Sequence, residues 1–288
     1  MATNYNHIAY SKSADGKEGF TTLYPNLNLL SNSNFDKGLW DDEYPRGTYN
    51  LIPPEKDKPT KNILHGIKST VGNQQIGAKP LSIYVEKDKN YTISFDYRDK
   101  GFTTSKTLLV IRAFDTENPT STGSANSLWE QTFTHSIFGI STESSSFQSI
   151  STIFKAKSDG WLSLRVYDSD SSGNHESWYR DIKIEQGSIS TPCMPHESEV
   201  TSQDYPTYIG TYTDENQNSS ASPEDYTWEM MNYRIYLDGI AVAGSKLLST
   251  RVENLKPDTS YTIQVKQVSG EEESDFSDSV TFKTNVQK

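Results

Sequence analysis

The chain is 288 residues long, 33% hydrophobic and 11% aromatic, with 17 tyrosines and a formal net charge of −11; it suits two or three domains and is too aromatic for disorder. The negative balance argues against nucleic acid or an anionic membrane as partner, and no apolar run approaches the ~20 residues of a membrane helix. The opening MATNYNHIAYSKSADG has no basic-then-apolar secretory signal, which predicts synthesis in a cytosol, and the single Cys193 excludes an intramolecular disulfide or a Cys-cluster zinc site.

Residues 26–40 read NLNLLSNSNFDKGLW, a strand followed by a turn. Residues 41–80 contain YPRG, IPPEKDKP and VGNQQIGAKP, which predict long loops over one end of a sheet structure. In YTISFDYRD, Tyr91, Ile93, Phe95 and Tyr97 alternate with Thr92, Ser94, Asp96 and Arg98, the pattern of a half-buried strand. TLLVIRAFD reads as a more fully buried strand ending in Arg112 and Phe114. In SFQSISTIFKA, the apolar Phe147, Ile150, Ile153 and Phe154 shift phase once, which predicts a bulge or bend. GWLSLRVYDS puts Leu162, Leu164 and Val166 on one face and Trp161, Ser163, Arg165 and Tyr167 on the other.

WYRDIKIEQG closes the set with Ile182 and Ile184 inward; on that phase Trp178 packs in the core or at an edge, while Tyr179 takes the opposite face. Strands at these intervals, separated by DKG, SDG and SSGN, predict an antiparallel jelly-roll β-sandwich over 25–195.

DENQNSSASPED, residues 214–225, reads as a linker or exposed loop. Beyond it, YRIYLDGIAVAG turns at Asp238-Gly239, and LKPDTSYTIQVKQVSG spaces Leu255, Pro257, Thr259, Tyr261, Ile263 and Val265 two apart. A proline ahead of an inward tyrosine is a tyrosine corner, in which the ring packs while its hydroxyl bonds nearby backbone. Residues 228–288 thus resemble a smaller fibronectin type III β-sandwich. They number about 60 where such sandwiches need roughly 100, so the first strands are either missing or supplied by 203–227. The expected fold is all-β, a jelly roll followed by this second sandwich.

The stretches NLNLLSNSNFDKGLW and WYRDIKIEQGSISTPCMP resemble the opening and closing strands of jelly-roll carbohydrate-binding modules in phage tail and baseplate proteins. Cys193 stands where the closing turn of those modules carries tryptophan. HIAYSKSADGKEGFTT (7–22) and YPTYIGTYTDENQNSSASPEDYTW (205–228) resemble two halves of one repeat of minor structural and tail-fibre proteins. The expected organisation is a connector, 1–24 with 196–227, into which 25–195 is inserted, followed by 228–288. Insertion of this kind requires neighbouring termini. In this order the pieces resemble the accessory baseplate proteins of siphophages infecting lactic-acid bacteria. That resemblance implies a virion component with two partners, host cell-wall polysaccharide and other baseplate or tail proteins.

A sugar site needs flat aromatic surfaces and planar polar side chains that bond vicinal hydroxyls. Two locations qualify. One is an open sheet face carrying Trp161, Arg165 and Tyr167, with Asp96, Arg98 and Arg112 on other strands; its arginines also suit phosphate. The other is a loop end with Trp40, Tyr44, Tyr49 and Trp129. An ordinary solvated face, or aromatics packed on the sandwich edge, accounts for the same residues. Asp36 and Asp181 are the oxygen donors to test for a structural calcium, as related jelly rolls carry one.

No cofactor is expected, and catalysis finds little support. Asp41/Asp42 and Asp168/Asp170 sit in no motif, and His7, His65, His135, His175 and His196 lack metal-ligand spacing. The readings left open are a non-enzymatic adhesin, a structural spacer of the tail, and the non-catalytic part of a wall hydrolase.

Overall fold

The computed structural model describes residues 4–40, 48–58, 62–68, 74–77, 82–101, 107–168, 175–250, 252 and 255–285. It divides into two units, residues 27–199 and residues 1–26 with 200–288.

The 27–199 unit is a β-sandwich built on β2 (Thr48–Ile52), β3 (Ile63–Lys68), β4 (Gln74–Gly77), β5 (Ile83–Val85), β6 (Asn90–Lys100), β7 (Thr107–Phe114), β8 (Trp129–Thr134), β9 (Gln148–Lys155), β10 (Gly160–Asp168) and β11 (His175–Gln186), where β1 is Tyr5–Ser11 of the other unit. One antiparallel sheet runs β2-β3-β11-β6-β9; the other runs β4-β10-β7-β8, with β5 also on β10. Period-two alternation aims Tyr91, Ile93, Phe95 and Tyr97 of β6 inward, and Leu109, Ile111, Leu162 and Leu164 line the same core from the other sheet.

The closing strand departs from simple alternation. The pairing of β11 with β6 slips between Arg180 and Lys183, and Asp181 takes a left-handed φ of 54°. The bulge keeps Ile182 and Ile184 inward but reverses the phase before it. Tyr179 is therefore a fully buried core residue, and Trp178 stands on the outer face opposite Arg98. This corrects the expectation drawn from Ile182 and Ile184. In β9 the opposite holds: its register with β6 is unbroken from Lys155 to Gln148, so the expected bulge is absent and Ile153 is simply exposed.

The ends of the unit are stitched together by Asn28. Its Nδ2 donates to the Ile182 carbonyl at 2.8 Å, and its Oδ1 accepts from the amides of Leu30 and Ile184 at 2.9 and 3.0 Å. Asn28 N also donates to Pro195 O at 3.1 Å, so the two termini lie side by side. Next to them Lys183, with no exposed side-chain surface, donates to Thr191 Oγ1 at 2.7 Å and Pro192 O at 2.9 Å, 3.2 Å from the equally buried Glu185. Met194 fills the core beside Cys193.

In the other unit β1, β12 (Tyr208–Asp214) and β13 (Thr227–Met230) form a three-stranded sheet, with β1 on β12 from Tyr5↔Asp214 to Ser11↔Tyr208. Trp228 of β13 covers the turn at Gly16, where φ is +77° and a Cβ would fall 2.2 Å from the indole, so only glycine fits. A separate sheet holds β14 (Tyr233–Leu237), β15 (Ile240–Ser245), β16 (Ser260–Ser269), β17 (Glu272–Glu273) and β18 (Val280–Lys283). Among the described residues no strand before Tyr233 joins it. Buried Arg234 links it to the N-terminal segment by donating to Tyr24 Oη at 3.1 Å and lying 4.5 Å over the Tyr205 ring. Tyr261 Oη accepts from Lys256 N at 2.9 Å, the bond a tyrosine corner makes.

Candidate functional site

The residues expected to form an open arginine face are differently disposed. The segment between β7 and β8 folds over that side of its sheet, and buried Thr122 meets both guanidinium groups: Arg165 Nη2 donates to its Oγ1 at 2.5 Å and Arg112 Nη1 to its carbonyl at 3.3 Å. Arg165 is 1% exposed, and Arg112 is further paired with Glu130 at 2.5 Å. Both are structural here, because a loop 10 and 43 residues distant along the chain supplies their partners. Tyr167 is half-buried on β10 opposite Gln75. Trp161 is half-buried and packs edge-on against the exposed Tyr84 at 5.3 Å.

The loop-end aromatics are core residues as well. Trp40 packs on Phe35 at 4.9 Å and donates its indole N–H to Asn32 O at 3.1 Å; Tyr49 and Trp129 are also buried. Tyr44 lies outside the described residues. Asp181 pairs with the Lys58 ammonium, and Asp36 hydrogen-bonds Asn34 and Asn62. Each of the two carboxylates proposed as calcium donors thus has side-chain partners of its own. Among the described residues no group of three or more His, Cys, Asp or Glu side chains could hold a metal ion.

Arg98 is the expected site residue that gathers others around it, on the outer face of the β2-β3-β11-β6-β9 sheet. The strand register sets His65, Trp178 and Arg98 side by side across three strands. Neighbouring strands lie ~4.8 Å apart, within the ~4.5–7 Å centroid separation of offset-stacked rings. The His65 ring stacks on Trp178 at 4.6 Å with 7° between planes, and the Arg98 guanidinium lies 4.9 Å over the indole and 4.5 Å over Phe147. Arg180, one register step along, lies 3.9 Å over the same Phe147 ring.

A turn after β2 crosses this row. It is closed by Lys58 N donating to Glu55 O at 3.1 Å; Glu55, Asp57 and Lys58 are tied to the face, while Lys56 is exposed. Glu55 accepts both terminal nitrogens of Arg98 at 2.7 and 3.2 Å, and Asp57 accepts both of Arg180 at 2.6 and 3.1 Å. Lys58 donates to Asp96 at 2.8 Å and to Asp181, while Ser149 donates to Asp96 at 2.6 Å. The Arg180 bond holds the Asp57 carboxyl at about 2. Burial pushes the Asp96 carboxyl up, but hydrogen bonds from Lys58 and Ser149 outweigh it and leave the group below its ordinary value. At the other end of the row Glu176 is bonded to His65 at 3.1 Å and Lys100 at 3.3 Å.

The result is a rigid array of planar polar groups with carboxylate oxygens at its surface. Alternation in β6 was enough to assign Asp96 and Arg98 outward. Trp178 was missed because of the bulge, and Glu55, Asp57 and Lys58 because a strand pattern carries no record of where a loop docks.

Residues 206–264 match the family described as Minor structural protein 5-like, C-terminal domain, a BppU-like domain. A tail fiber protein of Enterococcus phage phiEF24C is 29% identical over 183 residues, 60% of this chain, which spans only 9% of that protein's length. The structure of the tripod from the baseplate of bacteriophage Tuc2009 contains a chain 31% identical to this one, covered 100% in both directions with a TM-score of 0.70. A family 16 carbohydrate-binding module overlaps 55% of this chain at 14% identity and a TM-score of 0.36, too loose a likeness to bear on the site.

Proposed function

The chain belongs to the siphophage baseplate-protein family of that Tuc2009 tripod chain, and on this premise we propose that its 27–199 unit binds polysaccharide on the surface of the host cell. The chain is a structural component of the phage tail or baseplate, and so of the virion. The other unit is the part proposed to attach it to neighbouring tail proteins. The role is adhesive and not catalytic.

One observation carries the reading: the stacked row of His65, Trp178, Arg98 and Phe147, held by ion pairs beneath a rim of accessible carboxylates. Sugar hydroxyls need fixed, planar acceptors and donors, and the partly exposed edge of the indole, whose ring is stacked between His65 and Arg98, adds apolar contact. Prior immobilisation of these side chains removes much of the ordering cost that weakens shallow sites. Each site binds weakly; many copies on one particle raise the avidity.

The test uses the fluorescently labelled 288-residue chain on cells of the phage host. The wild type should decorate the cells, and a Trp178→Ala/Arg98→Ala variant should do so about tenfold less. Labelling no stronger than that of an unrelated acidic protein sinks the reading and favours a spacer.

A further inference from the structure

We infer that the outer face carrying Trp178 and Arg98 selects a glycan without phosphate, and that Glu55 and Asp57 enforce the choice. The inference rests on the carbohydrate reading above and names the class of sugar chain.

Three cations are packed into this face, each with a carboxylate against it; Lys100, bonded to Glu176, and the exposed Lys56 of the turn stand at its margin. Glu55 holds Arg98, Asp57 holds Arg180 with Asp96 on its Nε at 3.1 Å, and Asp96 and Asp181 hold Lys58. Lys56, Lys58, Arg98, Lys100 and Arg180 contribute five positive charges, and Glu55, Asp57, Asp96, Glu176 and Asp181 contribute five negative ones, so the face offers no net positive charge to a phosphate.

Arginine grips phosphate through a two-nitrogen fork, which must be free to do so. Here carboxylates fill both forks. A phosphate approaching Arg98 or Arg180 must expel Glu55 or Asp57 and then face the displaced anion. The same arginines stack on Phe147, and Arg98 also on Trp178, so they cannot turn outward without surrendering that contact.

An uncharged sugar requires no exchange. Its hydroxyls donate to carboxylate oxygens that still face water: the side chains of Glu55, Asp57 and Glu176 are 39%, 59% and 33% exposed. Each is already held by a cation, so the acceptors are fixed before the ligand arrives.

The experiment compares the wild-type 288-residue chain with a Glu55→Gln/Asp57→Asn variant. Two immobilised probes come from one batch of host cell-wall polysaccharide, untreated and stripped of phosphate by hydrofluoric acid. The wild type should bind the stripped probe at least as tightly as the untreated one. Its affinity should change less than about threefold between 50 and 500 mM salt, as expected when no phosphate is neutralised. The variant frees two guanidinium forks and should gain about tenfold for the untreated probe alone, in a salt-sensitive manner. Wild-type binding that disappears on phosphate removal or falls steeply with salt overturns the inference, as does a variant without the gain. Wild-type binding to neither probe overturns the carbohydrate reading itself.

Discussion

Replacing Lys183 by methionine tests whether the buried pair beneath the closing turn holds the sandwich ends in place. The ammonium donates to Thr191 Oγ1 and to Pro192 O, while Glu185 accepts from Thr191 N at 2.8 Å and from Thr191 Oγ1 at 2.6 Å. Neither side chain has more than 1% exposure. Burial lowers the Lys183 pKa, and Glu185 and Cys193 partly restore it. K183M strands the Glu185 carboxylate in the interior, a change that costs about 3–5 kcal/mol. For a unit of this size that is a fall in Tm of about 6–20 °C.

Removing both charges in K183M/E185L eliminates the stranded ion and leaves mainly the Thr191 amide without its acceptor, about 1–3 kcal/mol. The double variant should therefore lose less than the two single losses added together. Urea and thermal unfolding followed by tryptophan fluorescence suit the measurement, because Trp40, Trp129, Trp161 and Trp178 lie in 27–199 and only Trp228 lies elsewhere. A K183M Tm within about 2 °C of wild type, or a double variant as poor as the summed singles, would refute the reasoning.

Asn28→Ala removes one carbonyl's donor and two amides' acceptor at a site 1% exposed, and should cost about 3 kcal/mol in urea unfolding; a loss under about 1 kcal/mol rejects the stitching role. Tyr261→Phe deletes the acceptor of Lys256 N and should cost about 1 kcal/mol, with faster hydrogen exchange at the Lys256 amide. Unchanged exchange there counts against the tyrosine corner. Acid should release the turn over the Trp178–Arg98 face. Asp57 at about 2 and Asp96 below its ordinary 3.8 have depressed folded-state values. Their stabilisation is complete above that ordinary value and lost as pH falls toward 2. The urea midpoint should drop across this window, and less so in Asp57→Asn; equal slopes for the two proteins contradict the linkage.

Residue spacing alone determined the all-β class, the inward set Tyr91, Ile93, Phe95 and Tyr97, the outward Asp96 and Arg98, and the tyrosine corner at Tyr261. These follow from a strand's period of two or from a contact closed within five residues, so the information is local. What alternation could not settle was which outward residues stay accessible. Trp161, Arg165 and Tyr167 share one phase, yet a loop bearing Thr122 buries Arg165 and leaves Trp161 half-exposed. Nor could it settle the phase of Trp178 and Tyr179, because one added residue at Asp181 inverts every side chain before it. The array around Trp178 joins residues from Glu55 to Arg180, and only the pairing of β3, β11 and β6 with a docked turn brings them to one face. Strand formation is written in neighbours along the chain; site formation depends on which strands pair and which loops cover them, and that was decided in the tertiary structure.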